Sequence, residues 1–198
     1  MDGDAGVQFL VLGSLEVRAG GRLVTLGGAK PRLVLAVLLV HANAVVSADR
    51  LIDVLWGDAP PDSALTTVQK HVHRLRAAID PGRAGAHPSG RLVTRAPGYL
   101  LRVEPDECDA SRFERAVADA RRLAESGASE AAAAGFGQAL ALWRGPALAE
   151  FADHDFARAE VARLDNLRAV AMEERVEVLL SAGRHAEVIG ELEATTAA

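Results

Sequence analysis

The chain has 198 residues, of which 49% are hydrophobic and 25% charged, proportions that are ordinary for one large or two small globular domains. Its longest apolar run, residues 33–40, is far shorter than the roughly 20 residues that a membrane span needs, and Asp2 and Asp4 stand where a signal peptide would carry positive charge. We therefore expect a cytoplasmic protein with no membrane partner, and the single cysteine, Cys108, excludes an intrachain disulfide and a cysteine-built zinc site.

The net charge of −5 is divided unevenly along the chain. Residues 6–103 carry 12 Arg and Lys against 6 Asp and Glu, whereas residues 104–198 carry 10 against 19. A basic half joined to an acidic half indicates that the first half meets a polyanion and the second does not.

The first half is predicted to begin with short strands over residues 7–12, 15–18 and 22–26, because glycines separate these β-prone runs and Gly20-Gly21 suits a tight hairpin. A helix is predicted from Pro31 and a second after Ser47, a plausible N-cap. The third is predicted over residues 63–79, with Ser63 or Asp62 as its cap and residues 80–82 ending it.

A polar, glycine-rich loop over residues 82–90 and the first five residues are the candidates for disorder. A hairpin of residues 91–95 and 99–103 should follow, with Tyr99 packing it onto the third helix. Helices are then predicted over residues 110–126, 129–143, 155–181 (with or without one break) and 186–194. The last two form a helical hairpin turning at Gly183, and such repeats need neighbours, so we expect the natural protein to continue past Ala198.

The third helix carries the strongest functional pattern. At about 100° per residue its apolar side chains form one stripe that should pack on the other helices. This stripe comprises Leu65, Val68, Val72, Leu75 and Ile79. The remaining surface carries hydrogen-bonding groups and cations, and no acid occurs between residues 63 and 79.

Such a surface is typical of a helix that reads DNA, because Arg pairs with guanine, while Thr, Gln, Lys and His reach other base edges or phosphates. Arg95, at the hairpin tip, is placed to enter an adjacent minor groove. The alternatives are an ordinary solvated helix and an ordinary surface arginine. The predicted DNA-binding residues are Thr66, Thr67, Gln69, Lys70, His73, Arg74, Arg76 and Arg95.

Other kinds of site find little support in the sequence. Residues 27–30 (GGAK) lack the frame of a phosphate-binding loop, so we expect Lys30 or Arg32 at most to touch a phosphate near the helix start. His71 and His73 point in opposite directions on a helix and cannot share a metal. No catalytic arrangement is recognisable, and we expect neither enzymatic activity nor a cofactor or metal.

Strands, three helices and a hairpin, in this order, resemble the OmpR-type winged helix, and residues 72–76 (VHRLR) and 96–100 (APGYL) look like the end of its recognition helix and its wing. Four further strings resemble the Streptomyces antibiotic regulatory protein family. They are residues 9–17 (FLVLGSLEV), 28–32 (GAKPR), 55–61 (LWGDAPP) and 142–146 (LWRGP), the last from that family's helical bacterial transcriptional activation domain.

The resemblance implies an α+β winged helix-turn-helix with a four-stranded N-terminal sheet, three helices and a C-terminal hairpin, followed by an all-α tetratricopeptide-like domain. We place the two domains at residues 1–104 and 105–198. The resemblance also implies an activator of specialised-metabolite genes. Such an activator binds double-stranded DNA as a homodimer on direct repeats near the −35 element and contacts RNA polymerase, including its sigma subunit.

By position, Arg74 and Arg76 match the family's recognition-helix arginines and Arg95 its wing arginine, whereas Lys70, His71 and His73 depart from the family pattern. The alternative is a helical-repeat protein-interaction scaffold whose basic domain is incidental.

Overall fold

The computed structural model describes residues 6–80, 90–185 and 187–188. The first five residues, nearly all of the predicted loop at 82–90 and the predicted helix at 186–194 apart from two of its residues lie outside the described part. Within that part, no helix has both the length and the apolar character needed to cross a bilayer.

The chain begins with an antiparallel sheet of three strands among the described residues: β1 (Gln8–Leu10), β2 (Glu16–Ala19) and β3 (Arg22–Leu23), in that order. The predicted hairpin at Gly20-Gly21 is confirmed, since both residues have positive φ angles of 56° and 75°. Of the four N-terminal strands implied by the resemblance, three are found among the described residues. β3 pairs only briefly, and Gly27, with a φ of 90°, then turns the chain into the first helix.

Three helices follow: α1 (Ala29–Val40), α2 (Ala48–Trp56) and α3 (Ala64–Ile79). Ser47 caps α2 as predicted, because its Oγ accepts a hydrogen bond from the Arg50 N–H at 3.1 Å. The predicted side-chain cap of α3 is wrong. Ser63 has φ −91° and ψ 14° rather than the extended conformation of a capping residue, and its side chain makes no capping bond.

A second sheet, in the order β4-β6-β5, contains β4 (Val45–Ser47), β5 (Leu92–Arg95) and β6 (Gly98–Leu101). The sequence predicts the β5–β6 hairpin, hereafter the wing, but not β4. Asn43 makes β4 possible, because its positive φ of 64° turns the chain after α1 and its side-chain amide exchanges two hydrogen bonds with Val103. β6 therefore lies between β4 and β5.

The second half is helical, as predicted. A short 3-10 helix (Pro105–Glu107) leads into α4 (Asp109–Glu125), α5 (Ser129–Leu140) and an unbroken α6 (Asp155–Ser181). α5 packs against both α4 and α6, the arrangement of stacked helical hairpins. α5 ends three residues earlier than predicted, and Trp143 instead packs edge-on against Phe113 of α4, with 5.5 Å between ring centroids.

The two halves share one hydrophobic core. The segment after β1 lies against the helical half, where the Leu148 N–H donates to the Val11 carbonyl and the Arg144 N–H to the Leu12 carbonyl, both at 2.8 Å. Asp109, only 1% exposed, accepts the Val11 N–H at 2.7 Å and the Leu12 N–H at 3.1 Å. We call these five residues the junction.

The side chains of two arginines form further contacts at the edge of the junction. The Arg144 guanidinium pairs with Glu16 of β2 at 2.8 Å and lies 3.7 Å from the Asp109 carboxylate. The Arg32 guanidinium donates to the Leu15 carbonyl at 2.6 Å and pairs with Glu150. Burial raises the pKa of the Asp109 carboxyl, while the two backbone donors and then Arg144 act in the opposite direction.

We expect Asp109→Ala to lower the free energy of unfolding by about 2–5 kcal/mol, because it leaves two buried backbone N–H groups without acceptors. Urea denaturation of the whole chain measures this loss. Asp106→Ala is the matched control, since its side chain is 84% exposed and pairs only with Arg115 at the surface, an interaction worth at most about 1 kcal/mol. Equal losses in the two variants would refute the role assigned to Asp109.

A second prediction concerns the close contact between β4 and β6. A Cβ on Gly98 would lie 1.9 Å from the Val46 carbonyl oxygen, a backbone atom that cannot rotate away. We expect Gly98→Ala to cost about 3 kcal/mol of stability through overpacking. Gly28→Ala is the control, because a Cβ there meets no atom within 4 Å, and thermal melts that rank the two variants equally would contradict the assignment.

Candidate nucleic-acid interface

α3 packs into the fold on a different arc from the predicted one. Val68, Val72, Leu75 and Ile79 are fully buried, as predicted, but Leu65 is 48% exposed and that prediction is wrong. His71 is buried instead of Leu65. On a helical wheel the two residues lie on opposite sides of Val68, each about 60° from it. α1 packs against α3, and the charge of Lys30 at its start acts on His71, whereas the wing meets α3 at Arg76, near its C-terminal end.

The outward face of α3 brings together five of the eight predicted DNA-binding residues. They line one shallow depression that is open to solvent: Thr66, Gln69, Lys70, His73 and Arg74. All five are exposed. Thr67 lies beside them, half-buried, and its hydroxyl donates to the Ser63 carbonyl at 3.0 Å.

The cations of this face lack acidic partners within the part of the chain that the structure describes. Neither Lys70 nor Arg74 forms an ion pair there. In the helical half the pattern is the reverse, since arginines pair with nearby carboxylates, as in Arg121–Glu174 at 2.8 Å. Arg115, Arg122, Arg158, Arg163 and Arg184 are paired in the same way. Unneutralised positive charge is therefore presented by α3, where a polyanion would be attracted.

Arg76 is directed differently from Arg74. Its Nε donates to the Leu92 carbonyl and its Nη2 to the Thr94 hydroxyl, both at 2.7 Å, so the guanidinium joins α3 to the wing. Burial lowers the pKa of Arg76, and the side chain does not line the depression. The structure thus separates two arginines that the sequence pattern treats alike.

The hydrogen bonds of Arg76 to Leu92 and Thr94 attach the wing to α3. Arg95 is exposed at the end of β5, opposite Gly98. Tyr99 is 6% exposed, and burial raises its pKa while the nearby Arg76 charge lowers it. Tyr99 therefore packs in the core beside α3, as predicted, and leaves Arg95 projecting from the wing.

His71 is a core residue. Among the described residues neither ring nitrogen has a hydrogen-bond partner. Burial lowers the pKa of His71, and the charges of Arg74 and Lys30 lower it further, so the ring is neutral near pH 7. Because it is buried, its ring does not belong to the outward face of α3.

The two cations expected near the start of α1 diverge. Arg32 turns toward the junction, where Leu15 and Glu150 occupy its guanidinium, so it is not available to a phosphate. Lys30 is exposed, and its Nζ lies 4.4 Å from the centroid of the Trp56 ring. The sequence predicts that Trp56 lies on the apolar face of α2. It does not predict the contact with Lys30, because no local pattern shows which cation approaches the ring.

Comparisons with known proteins cover both halves. A family model described as "Transcriptional regulatory protein, C terminal" matches residues 22–101, and one described as "Bacterial transcriptional activator domain" matches residues 108–198. The regulatory protein DnrI of Streptomyces peucetius is 40% identical over 194 residues, which is 96% of this chain and 71% of DnrI.

The transcriptional regulatory protein EmbR of Mycobacterium tuberculosis is 34% identical over 200 residues, which is 99% of this chain and 51% of EmbR. The structure of M. tuberculosis EmbR in complex with a low-affinity phosphopeptide matches with a TM-score of 0.87 and 32% identity. That match covers 96% of this chain and 50% of the EmbR chain, so this chain spans about half of EmbR's length.

The different directions of Arg74 and Arg76 predict different effects on folding. Arg76→Ala removes a charged donor from two acceptors and should lower the free energy of unfolding by about 1.5–3 kcal/mol. Arg74→Ala, on the open face, should change it by no more than about 0.5 kcal/mol. Urea denaturation without DNA compares them, and an equal effect of both would mean that Arg76 does not support the wing.

Proposed function

Because the chain belongs to the Streptomyces antibiotic regulatory protein family of DNA-binding transcriptional regulators, we propose that it activates transcription. In this proposal α3 binds in a major groove, and the wing reaches the adjacent minor groove. The observation that supports this most is the outward face of α3, where exposed cations and hydrogen-bonding groups meet no acid. A duplex supplies the negative charge that the described part of the chain does not.

The residues divide into three roles. Arg74 lines the depression, forms no ion pair among the described residues, and is assigned to guanine, whose O6 and N7 accept its paired donors. Thr66, Gln69, Lys70 and His73 line the same depression and contact other base edges or phosphates. Thr67, half-buried at the flank, contacts the backbone of the groove.

The wing contributes by position. Arg95 is exposed at the tip and is assigned to the minor groove, whose negative potential attracts arginine. Arg76 acts through the wing rather than on a base, because its donors are already taken by Leu92 and Thr94.

We assign DNA binding to residues 1–104 and activation to residues 105–198. The helical half contacts RNA polymerase, including its sigma subunit, and two copies bind direct repeats near the −35 element of specialised-metabolite promoters. The protein acts in the cytoplasm, where the bacterial chromosome lies, and is not an enzyme. This chain spans 71% of DnrI and 51% of EmbR, so functions of their remaining parts are not carried over.

The test is Arg74→Ala, which should weaken binding to a duplex selected by the whole chain by about 1–3 kcal/mol at matched salt. Fluorescence anisotropy measures the affinity. Arg122→Ala is the control, because this arginine is exposed on α4 in the acidic half and should leave binding unchanged. Equal affinity of Arg74→Ala and the parent would remove Arg74 from the interface.

The parent itself should bind more weakly as salt rises, because cations that neutralise phosphates release counterions. A flat salt dependence would overturn the DNA-binding role. Both measurements need the intact chain, because the core continues through the junction and a cut at residue 104 would expose buried residues such as Phe9 and Leu12.

A further inference from the structure

Lys30 is exposed, yet its ammonium group contacts an aromatic ring. It lies in the first turn of α1, and its Nζ sits 4.4 Å from the centroid of the Trp56 ring at the end of α2. The negative face of an aromatic ring attracts an ammonium group. The long side chain is thereby restrained before any ligand arrives, which reduces the entropy lost when it binds one.

The position of Lys30 connects it with the face of α3. The imidazole of His71 is buried in α3, and the charges of both Lys30 and Arg74 act on it. α1, α2 and α3 pack against one another, and Lys30 at the start of α1 meets Trp56 at the end of α2 on one edge of this group, beside the helix that carries Arg74. α2 contributes the Trp56 ring at this edge.

Lys30 has no carboxylate partner within residues 6–80, 90–185 and 187–188. The first turn of α1 contains no acid, and its backbone N–H groups add the positive end of the helix dipole. Arg32, two residues away, is occupied by Glu150 and Leu15. Within the described residues no carboxylate neutralises Lys30, so its charge is available to an anionic ligand.

We propose that Lys30, held over the Trp56 ring, binds a backbone phosphate at the edge of the major groove that α3 enters. This inference rests on the proposed function and adds to it a contact outside the recognition helix and the wing. A phosphate contact of this kind fixes the register of the protein on the duplex and carries no base preference. Lys30 supplies the charge, and Trp56 is a positioning residue.

The first experiment uses the whole chain and a duplex selected by it. Lys30→Gln should reduce the slope of log affinity against log salt by about 0.9, the value for one lost phosphate contact. Lys30→Arg keeps the charge and should retain the slope. Trp56→Leu should weaken binding by about two- to five-fold with an unchanged slope, because the cation remains but is no longer restrained. Circular dichroism checks that each variant folds.

The second experiment locates the contact by replacing single phosphates of the duplex with neutral methylphosphonates. One position should weaken binding by the parent but not by Lys30→Gln. If every position affects both proteins equally, or if Lys30→Gln keeps the parent's slope, the contact is refuted while DNA binding by α3 stands. If the parent shows no salt-dependent binding at all, the proposed function fails and this contact fails with it.

Discussion

A carboxylate buried between two halves of the chain determines the arrangement of the rest. Asp109 begins α4, yet its two oxygens accept the N–H groups of Val11 and Leu12 in the other half. These hydrogen bonds place the end of β1 against the helical half, and the shared core then extends to α1 and α3. The outward face of α3 is therefore positioned partly by contacts that lie outside α3.

Three of the strings that carry the family resemblance meet at this junction. Arg144, from residues 142–146, contacts Leu12, Ser14 and Glu16, which belong to residues 9–17. Arg32, from residues 28–32, donates to the Leu15 carbonyl. In this chain these strings thus largely join the two halves, whereas the polar residues of α3 and Arg95 of the wing face solvent.

The architecture could be predicted from the sequence because the helices and the wing have strong local patterns of apolar spacing, glycine and proline. The strand β4 could not, since it depends on the turn at Asn43 and on pairing with a distant β6. The sequence also predicts the polar residues of α3 as one group. Periodicity shows which side of a helix is apolar, but not which neighbouring element covers each edge of that side. The sequence therefore does not reveal that Leu65 is exposed, that His71 is buried, or that Arg76 contacts the wing.

The junction also has a consequence for geometry on the chromosome. The helical half shares its core with the half that contains α3, so no flexible linker joins them. When α3 lies in a groove, as proposed, the helical half therefore keeps one angle to that groove. For two copies on repeated sites, the angle between their helical halves is then set by the twist of the duplex, which completes a turn in about 10.5 base pairs. In the arrangement proposed above, the spacing of the two sites would set the direction in which each copy faces its neighbour.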